Sequence, residues 1–230
     1  MLPRVLEPEV MDTPEEARDY DAMDHAAVNA TFCADLLGAA PVGALGRVLD
    51  VGTGTALIPI ELCKRASHID VVAIDLADNM LALAKDNVGF AGFADRIELQ
   101  KLDAKSLPFA DGAFGAVISN SIVHHIPDPA GVLAEMWRVV RKGGILFVRD
   151  LHRPSSHAEI DRLVGLYGGE PPADAAMTKS FDHQVSLFRA SLAASLTIDE
   201  VAKMVDPLGI PTGAITMTSD RHWTLSFVKP

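Results

Sequence analysis

The chain has 230 residues, of which 49% are hydrophobic, and a formal net charge of −11. A chain of this length can form one domain with a full hydrophobic core, and its negative charge, without a clustered run of Lys or Arg, argues against nucleic acid as a partner. We find neither a signal-peptide core nor a run of the roughly 18 apolar residues that cross a bilayer, so we expect a soluble cytoplasmic protein with a small-molecule partner and no membrane association.

The first 45 residues are predicted to form one or two helices that make an N-terminal cap. They contain the stretch "PEEARDYDAMDHAAVNATFCADLLGAA". Cys33 in this stretch and Cys63 lie far apart in segments that read as helical. We expect both thiols to stay reduced and mostly buried, without a disulfide.

Residues 46–150 alternate short apolar runs with longer amphipathic segments. The runs "VLDV", "DVVAIDL", "RIELQKLD", "GAVISNSIV" and "GILFVRDL" are separated by segments such as "NMLALAKDNVGFAG". This alternation predicts an α/β fold with a mostly parallel sheet and helices on both faces. Ligands of such sheets bind outside the carboxyl ends of the strands, so we look for the chemistry there.

Residues 151–213 are predicted to be helical, and residues 214–230 to form a hairpin. Thr197 and Glu200 form a predicted capping box at the start of "TIDEVAKMV", and we interpret the helical segment as a lid over the strand ends. Strand-like runs at 214–219 and 222–228, only two residues apart, predict an antiparallel hairpin that closes the sheet. We treat the whole chain as a single domain.

Two glycines follow the first predicted strand in the pattern Asp50-x-Gly52-x-Gly54. Glycines let the backbone turn tightly and approach a ligand, and the next helix directs its free amides at that ligand. A dinucleotide site needs a further small residue where Leu57 stands. Leu57 therefore argues against NAD or FAD, and so does Asp50, whose carboxylate suits a cationic ligand with an ammonium group.

The next two predicted strands end in Asp75 and Asp103. A carboxylate at Asp75 can accept from both hydroxyls of a ribose, and one at Asp103 can accept from the exocyclic amine of adenine. The structural alternatives are that Asp75 caps the helix near Ala77 and that Asp103 is a turn residue. Taken with Asp50, the three carboxylates suggest an amine, a ribose and an adenine in a line, which are the parts of S-adenosylmethionine.

At these positions the sequence resembles the class I S-adenosylmethionine-dependent methyltransferases, over about residues 46–144. The resemblance rests on "VLDVGTGTA", "VVAIDLADNML", "KLDAKSLPF", "FGAVISNSIVHHIPDP" and "EMWRVVRKGGILFVRD", although Thr55 stands where the family has a third glycine. It implies a Rossmann-like seven-stranded sheet with an antiparallel last strand, S-adenosylmethionine as cofactor and S-adenosylhomocysteine as product. The predicted cofactor-binding residues are Asp50, Gly52, Thr53, Gly54, Asp75, Leu76, Asp103, Ala104 and Asn120.

His124 and His125 lie just beyond the fourth predicted strand, close to the expected position of the transferred methyl group. Either is a candidate general base or substrate contact; the alternative is that one of them packs inside. We predict no metal site, because adjacent histidines rarely chelate one ion well and the remaining candidates, His152 and His157, are distant.

Four candidate substrate contacts lie at the end of the fifth strand and beside the hairpin turn: Arg149, Arg153, Arg221 and Trp223. A pair of guanidinium groups there could hold a substrate carboxylate or phosphate. The alternative is that Arg149 and Arg153 pair with Asp150, or with acidic residues of the N-terminal helices, as part of the scaffold.

The N-terminal helices commonly cover the active site in the family that the sequence resembles, so Tyr20 and His25 are further candidate contacts. Their alternative is a solvated helix face. The leading hypothesis is methyl transfer to a small molecule, anionic if the arginines bind it. The rival keeps the S-adenosylmethionine site for other chemistry or a regulatory role, and the acceptor atom (N, O, S or C) stays open.

Overall fold

The computed structural model describes residues 2–8, 12–23, 25–169 and 175–230. Its strands are β1 (Arg47–Val51), β2 (Asp70–Asp75), β3 (Ile97–Lys101), β4 (Phe114–Asn120), β5 (Val140–Leu151), β6 (Ile215–Met217) and β7 (His222–Val228). Its α-helices are α1 (Pro14–Asp21), α2 (Ala26–Ala39), α3 (Leu57–Arg65), α4 (Asp78–Ala91), α5 (Pro129–Val139), α6 (His157–Tyr167), α7 (Ala175–Ala194) and α8 (Ile198–Val205). A short 3-10 turn at Val123–His125 follows β4.

The strands form one sheet in the order β3-β2-β1-β4-β5-β7-β6. Strands β1 to β5 are parallel, with Asp50 of β1 opposite Ala73 of β2 and Ile118 of β4. β7 is antiparallel to both β5 and β6. The predicted seven-stranded, mostly parallel sheet with an antiparallel last strand is therefore confirmed, and the carboxyl ends of the parallel strands meet at one edge.

Apolar layers cover both faces of the sheet. Neighbouring residues of β1 supply opposite layers: Val48 packs in the cluster that contains Phe32 of α2, and Leu49 in the cluster that contains Met136 of α5. Successive side chains of a strand point to opposite faces, so a strand covered on both faces reads as a continuous apolar run. Among the described residues, no helix is both long and apolar enough to cross a membrane.

The segment that follows β5 divides between two environments. The capping box at Thr197 and Glu200 is confirmed, but α8 packs against α5 and buries Val205 in the main core. α8 is therefore part of the layer that covers the sheet. Only α6 and α7, which pack together through Leu163 and Leu192 in a small separate core, fit the predicted lid, and residues 170–174 lie outside the described residues.

Two element boundaries differ from the prediction. β5 begins at Val140, where the sequence suggests a continuing helix, because the helix before it already ends at Val139. The hairpin is present, but its connection is longer than two residues, since the amides of Thr218 and Ser219 both donate to the carbonyl of His222, at 2.9 and 3.4 Å.

The first described segment runs along the strand ends between α7 and the turn after β4. The amide of Val5 donates to the carbonyl of Ala193 at 3.1 Å. The guanidinium of Arg4 donates to the carbonyl oxygens of Ala194 at 2.7 Å and His124 at 3.0 Å. These bonds fix the segment over the edge of the sheet where the candidate site lies.

Candidate functional site

A cleft opens at the carboxyl ends of β1, β2 and β4. The cavity that it encloses has a volume of about 170 Å³. Most of the predicted cofactor-binding residues line it: Gly52, Gly54, Asp75, Leu76, Asp103, Ala104 and Asn120. The structure thus brings together residues from the ends of four strands, β1 to β4, that are distant in the sequence.

The turn after β1 has a backbone conformation that favours glycine. Gly52 has a φ of +73°, and a Cβ built on it would lie 2.3 Å from the Cγ2 atom of Ile122. Gly54 also has a positive φ, and its amide donates to Oδ2 of Asp75 at 2.8 Å. Positive φ is readily adopted by glycine and strained for other residues, so this turn leaves bare backbone facing the cleft.

Asp75 combines the structural role with the ligand role considered above. Its Oδ2 accepts from the amide of Gly54. Its Oδ1 accepts, at 3.0 Å, from the amide of Ala77, which is the N-cap residue of α4. Each carboxylate oxygen has a second lone pair, so both oxygens can accept one more donor from the cleft. Burial raises the pKa of Asp75 in spite of these amides.

Asp50 and Thr53 lie behind the cleft wall, outside its lining. Asp50 is 2% exposed and Thr53 is 8% exposed. Burial, reinforced by the negative charge of Asp75, raises the pKa of Asp50 to about 7. In this conformation Asp50 is too buried to make the direct contact with an ammonium group that we predicted. Its carboxylate can act on a ligand in the cleft only through its charge.

Asp103 and Ala104 form the opposite wall of the cleft, in the turn that follows β3. Oδ1 of Asp103 accepts from the amide of Lys105 at 2.9 Å, which is the turn contact expected of the structural alternative. The Asp103 side chain is 44% exposed and also lines the cleft, so the turn contact leaves it accessible to a ligand.

Tyr20 and His25 come from the N-terminal cap, and only Tyr20 lines the cleft. Its Cε1 atom lies 3.5 Å from the position of a Cβ built on Gly54, so the ring packs over the glycine turn. Nε2 of His25 donates to the carbonyl of Tyr20 at 3.0 Å, and the two rings lie 4.6 Å apart. His25 therefore supports Tyr20 from behind.

The two adjacent histidines have different environments. His125 lines the cleft, and burial together with the neighbouring His124 lowers its pKa to about 4. His124 is 2% exposed, and its Nδ1 lies 2.5 Å from Oδ1 of Asp150. Burial opposes the charge on His124, but Asp150 outweighs that effect and raises the pKa of His124.

Asp150 organises the turn that carries both histidines. Its Oδ2 accepts from the amides of Val123 at 2.6 Å and His124 at 3.2 Å, and its Oδ1 accepts from the amide of Leu151 at 2.6 Å. Burial favours its neutral form, but His124 and these amides hold the pKa of Asp150 below its usual value.

The three predicted substrate arginines lie outside the cleft lining. Arg149 donates to Thr224 at 2.9 Å and to Asp35 of α2 at 2.6 Å, and Arg153 donates to Glu200 at 2.5 Å. Arg221 stacks on a tyrosine ring, 3.4 Å from its centroid. These contacts favour a scaffold role for both Arg149 and Arg153. The partner of Arg149 lies in an N-terminal helix, as the alternative predicts, whereas the partner of Arg153 lies in α8.

Trp223 is fully buried in the main core. In this position it packs against other core side chains and has no surface to offer to an acceptor. Its placement favours a structural role over the predicted substrate contact.

Sequence reasoning missed two groups at this edge of the sheet. Asp150 carries a readable signal, since it is a carboxylate at the end of a strand, as Asp75 is. Glu7 carries none, because it stands in a segment without helical or strand periodicity. Glu7 is placed beside the histidines by the bonds that Arg4 and Val5 make with α7 and the turn after β4.

Comparison with known proteins gives a consistent result. Residues 49–148 match the family model described as a methyltransferase domain. A ubiquinone/menaquinone biosynthesis C-methyltransferase of Geotalea daltonii is 32% identical over 110 residues, which cover 47% of this chain and 47% of the relative. A phosphatidylethanolamine N-methyltransferase of Cereibacter sphaeroides is 41% identical over 99 residues, which cover 43% of this chain and 47% of the relative.

The chain therefore spans about half the length of these curated relatives, 47% of each. The crystal structure of a SAM-dependent methyltransferase from Aquifex aeolicus matches with a TM-score of 0.67 and 18% identity, covering 94% of this chain and 98% of that one. At this identity the match shows a shared fold.

Proposed function

We propose that the chain is a class I S-adenosylmethionine-dependent methyltransferase that transfers a methyl group from S-adenosylmethionine to a small-molecule acceptor. The match of residues 49–148 to the methyltransferase domain supports this proposal. The observation that carries the proposal is the cleft at the ends of β1, β2 and β4. There a turn of bare backbone at Gly52 and Gly54 lies beside the carboxylate of Asp75, which also lines the cleft.

The residues of the cleft fit the three parts of S-adenosylmethionine. Asp75 has one free lone pair on each oxygen for the two ribose hydroxyls. Asp103 and Ala104 can hold the adenine at the opposite wall, and the open backbone at Gly52 and Gly54 can approach the methionine part. The carboxylates of Asp50 and Asp75 favour a ligand with positive charge.

When bound, the cofactor supplies an electrophilic methyl group on a positively charged sulfur. The chain's own contribution is to align the acceptor, to exclude water and, where the acceptor needs it, to accept a proton. Tyr20 covers the glycine turn and limits the entry of water. Burial and the neighbouring His124 lower the pKa of His125 to about 4, so His125 is neutral near pH 7.

His125 is the better candidate of the two histidines for a contact with the acceptor, because it lines the cleft beside Asn120 and Ile122. His124 is held by Asp150 and acts through position. The names of the two curated relatives describe transfer to carbon and to nitrogen, so similarity supports a methyl acceptor without selecting its atom. An anionic acceptor has little support, since Arg149 and Arg153 are engaged in internal ion pairs.

The test is turnover. The purified protein is incubated with S-adenosylmethionine and a panel of acceptors that offer carbon, nitrogen, oxygen or sulfur nucleophiles, and S-adenosylhomocysteine is quantified. We expect at least one class to raise its formation above the rate without acceptor. Tight cofactor binding with no such increase for any class would favour the alternative of other chemistry or a regulatory role.

A further inference from the structure

Glu7, His124 and His125 form a cluster beside the cleft. Oε1 of Glu7 lies 3.5 Å from Nε2 of His124 and 3.3 Å from Nδ1 of His125, and the three atoms lie within 4.8 Å of one another. The side chains of His124 and Glu7 are 3% and 6% exposed. Three groups that can bind a metal ion thus face one another in a nearly closed space.

Two of these three atoms lack partners. Oε1 of Glu7 and Nδ1 of His125 are buried and have no hydrogen-bond partner among the described residues. Buried polar atoms in native proteins are almost always hydrogen-bonded, so unpartnered ones commonly mark a bound water or ion. The two atoms point into the same space, which favours a shared ligand between them.

The spacing suits a small cation. Metal bonds to histidine nitrogen and carboxylate oxygen are about 2.0–2.2 Å long in tetrahedral zinc sites, which places neighbouring ligand atoms about 3.4 Å apart. The two distances from Glu7 Oε1, 3.3 and 3.5 Å, agree with this edge length. The third pair, Nε2 of His124 and Nδ1 of His125, lies within 4.8 Å.

Hydrogen bonds with neighbouring side chains engage the other atoms of His124 and Glu7 and leave the proposed ligand atoms available. Asp150 takes Nδ1 of His124, so Nε2 remains available, and the hydroxyl of Ser191 donates to Oε2 of Glu7 at 3.2 Å, so Oε1 remains available. A carboxylate on the far nitrogen of a metal-binding histidine is the usual outer partner of such sites. Arg4 is the nearby cation, and its charge is opposed by the two carboxylates, Glu7 and Asp150.

We propose that Glu7, His124 and His125 form a binding site for a divalent transition-metal ion with the preferences of Zn²⁺, with three protein ligands and one open position. Two imidazoles and one carboxylate are a ligand set of zinc sites that keep a fourth position for water or substrate. The sequence suggested no metal because adjacent histidines need a third ligand, and Glu7 becomes a neighbour only in the fold.

The site has a consequence that rests on the proposed function. His125 belongs both to the cluster and to the cleft lining, so an acceptor with an oxygen or sulfur donor is the class that the open position would favour. Metal affinity is measured without cofactor or acceptor. Failure of the metal proposal is therefore distinguishable from failure of methyl transfer.

The first experiment uses the full chain without an affinity tag, stripped with EDTA and dialysed. Zn²⁺ is titrated by calorimetry, and Co²⁺ is titrated while its visible absorption is recorded. We expect one ion per chain and the intense absorption of four-coordinate Co²⁺. Absence of saturable binding, or only the weak spectrum of six-coordinate Co²⁺, would overturn the proposal on the unaltered protein.

The second experiment locates the ion. Glu7→Gln removes a proposed ligand and should weaken Zn²⁺ binding more than about 100-fold. Asp150→Asn changes a residue that only holds a ligand in place, and it should weaken Zn²⁺ binding about 10- to 100-fold. His68→Gln, at an exposed histidine, is the matched control and should bind as the wild type does. Retained Zn²⁺ affinity in Glu7→Gln, with an unchanged thermal transition, would place the ion elsewhere and overturn the site.

Discussion

Asp75 and Asp150 are the same residue type at the ends of two parallel strands, yet their surroundings differ. Asp150 accepts from three backbone amides and from His124, and its pKa lies below the usual value. Asp75 accepts from two amides, and its pKa is raised. The difference lies in the partner and the place: His124 pairs with the charge of Asp150, whereas Asp75 is bonded to amides and lines the cleft.

The largest expected effect is the loss of stability when Asp150 is replaced. Asp150→Ala leaves His124 and buried backbone amides without an acceptor and should lower the free energy of unfolding by roughly 3–5 kcal/mol, as for a broken buried ion pair. Asp103→Ala, the matched change at a half-exposed carboxylate, should cost under about 1 kcal/mol. Urea denaturation measures both, and equal costs would contradict the structural role of Asp150.

The next effect concerns Asp50 and depends on pH. Its pKa is about 7 in the folded protein and near the usual value in the unfolded chain. As pH rises from about 4, the unfolded chain releases this proton before the folded one does, so the carboxylate destabilises the fold increasingly up to about pH 7. Asp50→Asn has no such carboxylate. The free energy of unfolding of Asp50→Asn, relative to that of the wild type, should therefore rise by roughly 2–4 kcal/mol between about pH 4 and pH 8.

The measurement for Asp50 is the free energy of unfolding of both proteins across that pH range, taken without cofactor. Because the other titratable groups are shared, their contributions cancel in the difference. A difference that does not change with pH would show that Asp50 ionises at its ordinary pKa in spite of its burial.

The surroundings of Asp75 and those of Asp150 also differ in how much of them the sequence predicts. The turn at Gly52 and Gly54 and the strand-end position of Asp75 are readable because glycine conformation and strand periodicity are local properties. The parallel sheet and its antiparallel last strand follow from the same local patterns, together with the family resemblance.

The cluster at Glu7 could not be predicted, because tertiary bonds of a segment without periodicity place it. The same limit applies to the arginines. Arg149 and Arg153 are at strand ends, as predicted, but whether a guanidinium faces a ligand or an internal carboxylate depends on helix packing. Asp35 and Glu200 become neighbours only after α2 and α8 dock. Trp223 illustrates a further limit, since its burial depends on which side of β7 faces α8.

The most direct test of the central claim is isothermal titration of the wild type, Asp75→Asn and Asp78→Ala with S-adenosylmethionine. Asp75→Asn keeps the shape of the side chain and one acceptor oxygen but loses the charge, and Asp78 is an exposed neighbour that pairs with Lys101. We predict that the wild type and Asp78→Ala bind alike and that Asp75→Asn binds more weakly by roughly 1–3 kcal/mol, about 5- to 150-fold. Absence of binding by the wild type, or equal affinity of all three proteins, would contradict the account.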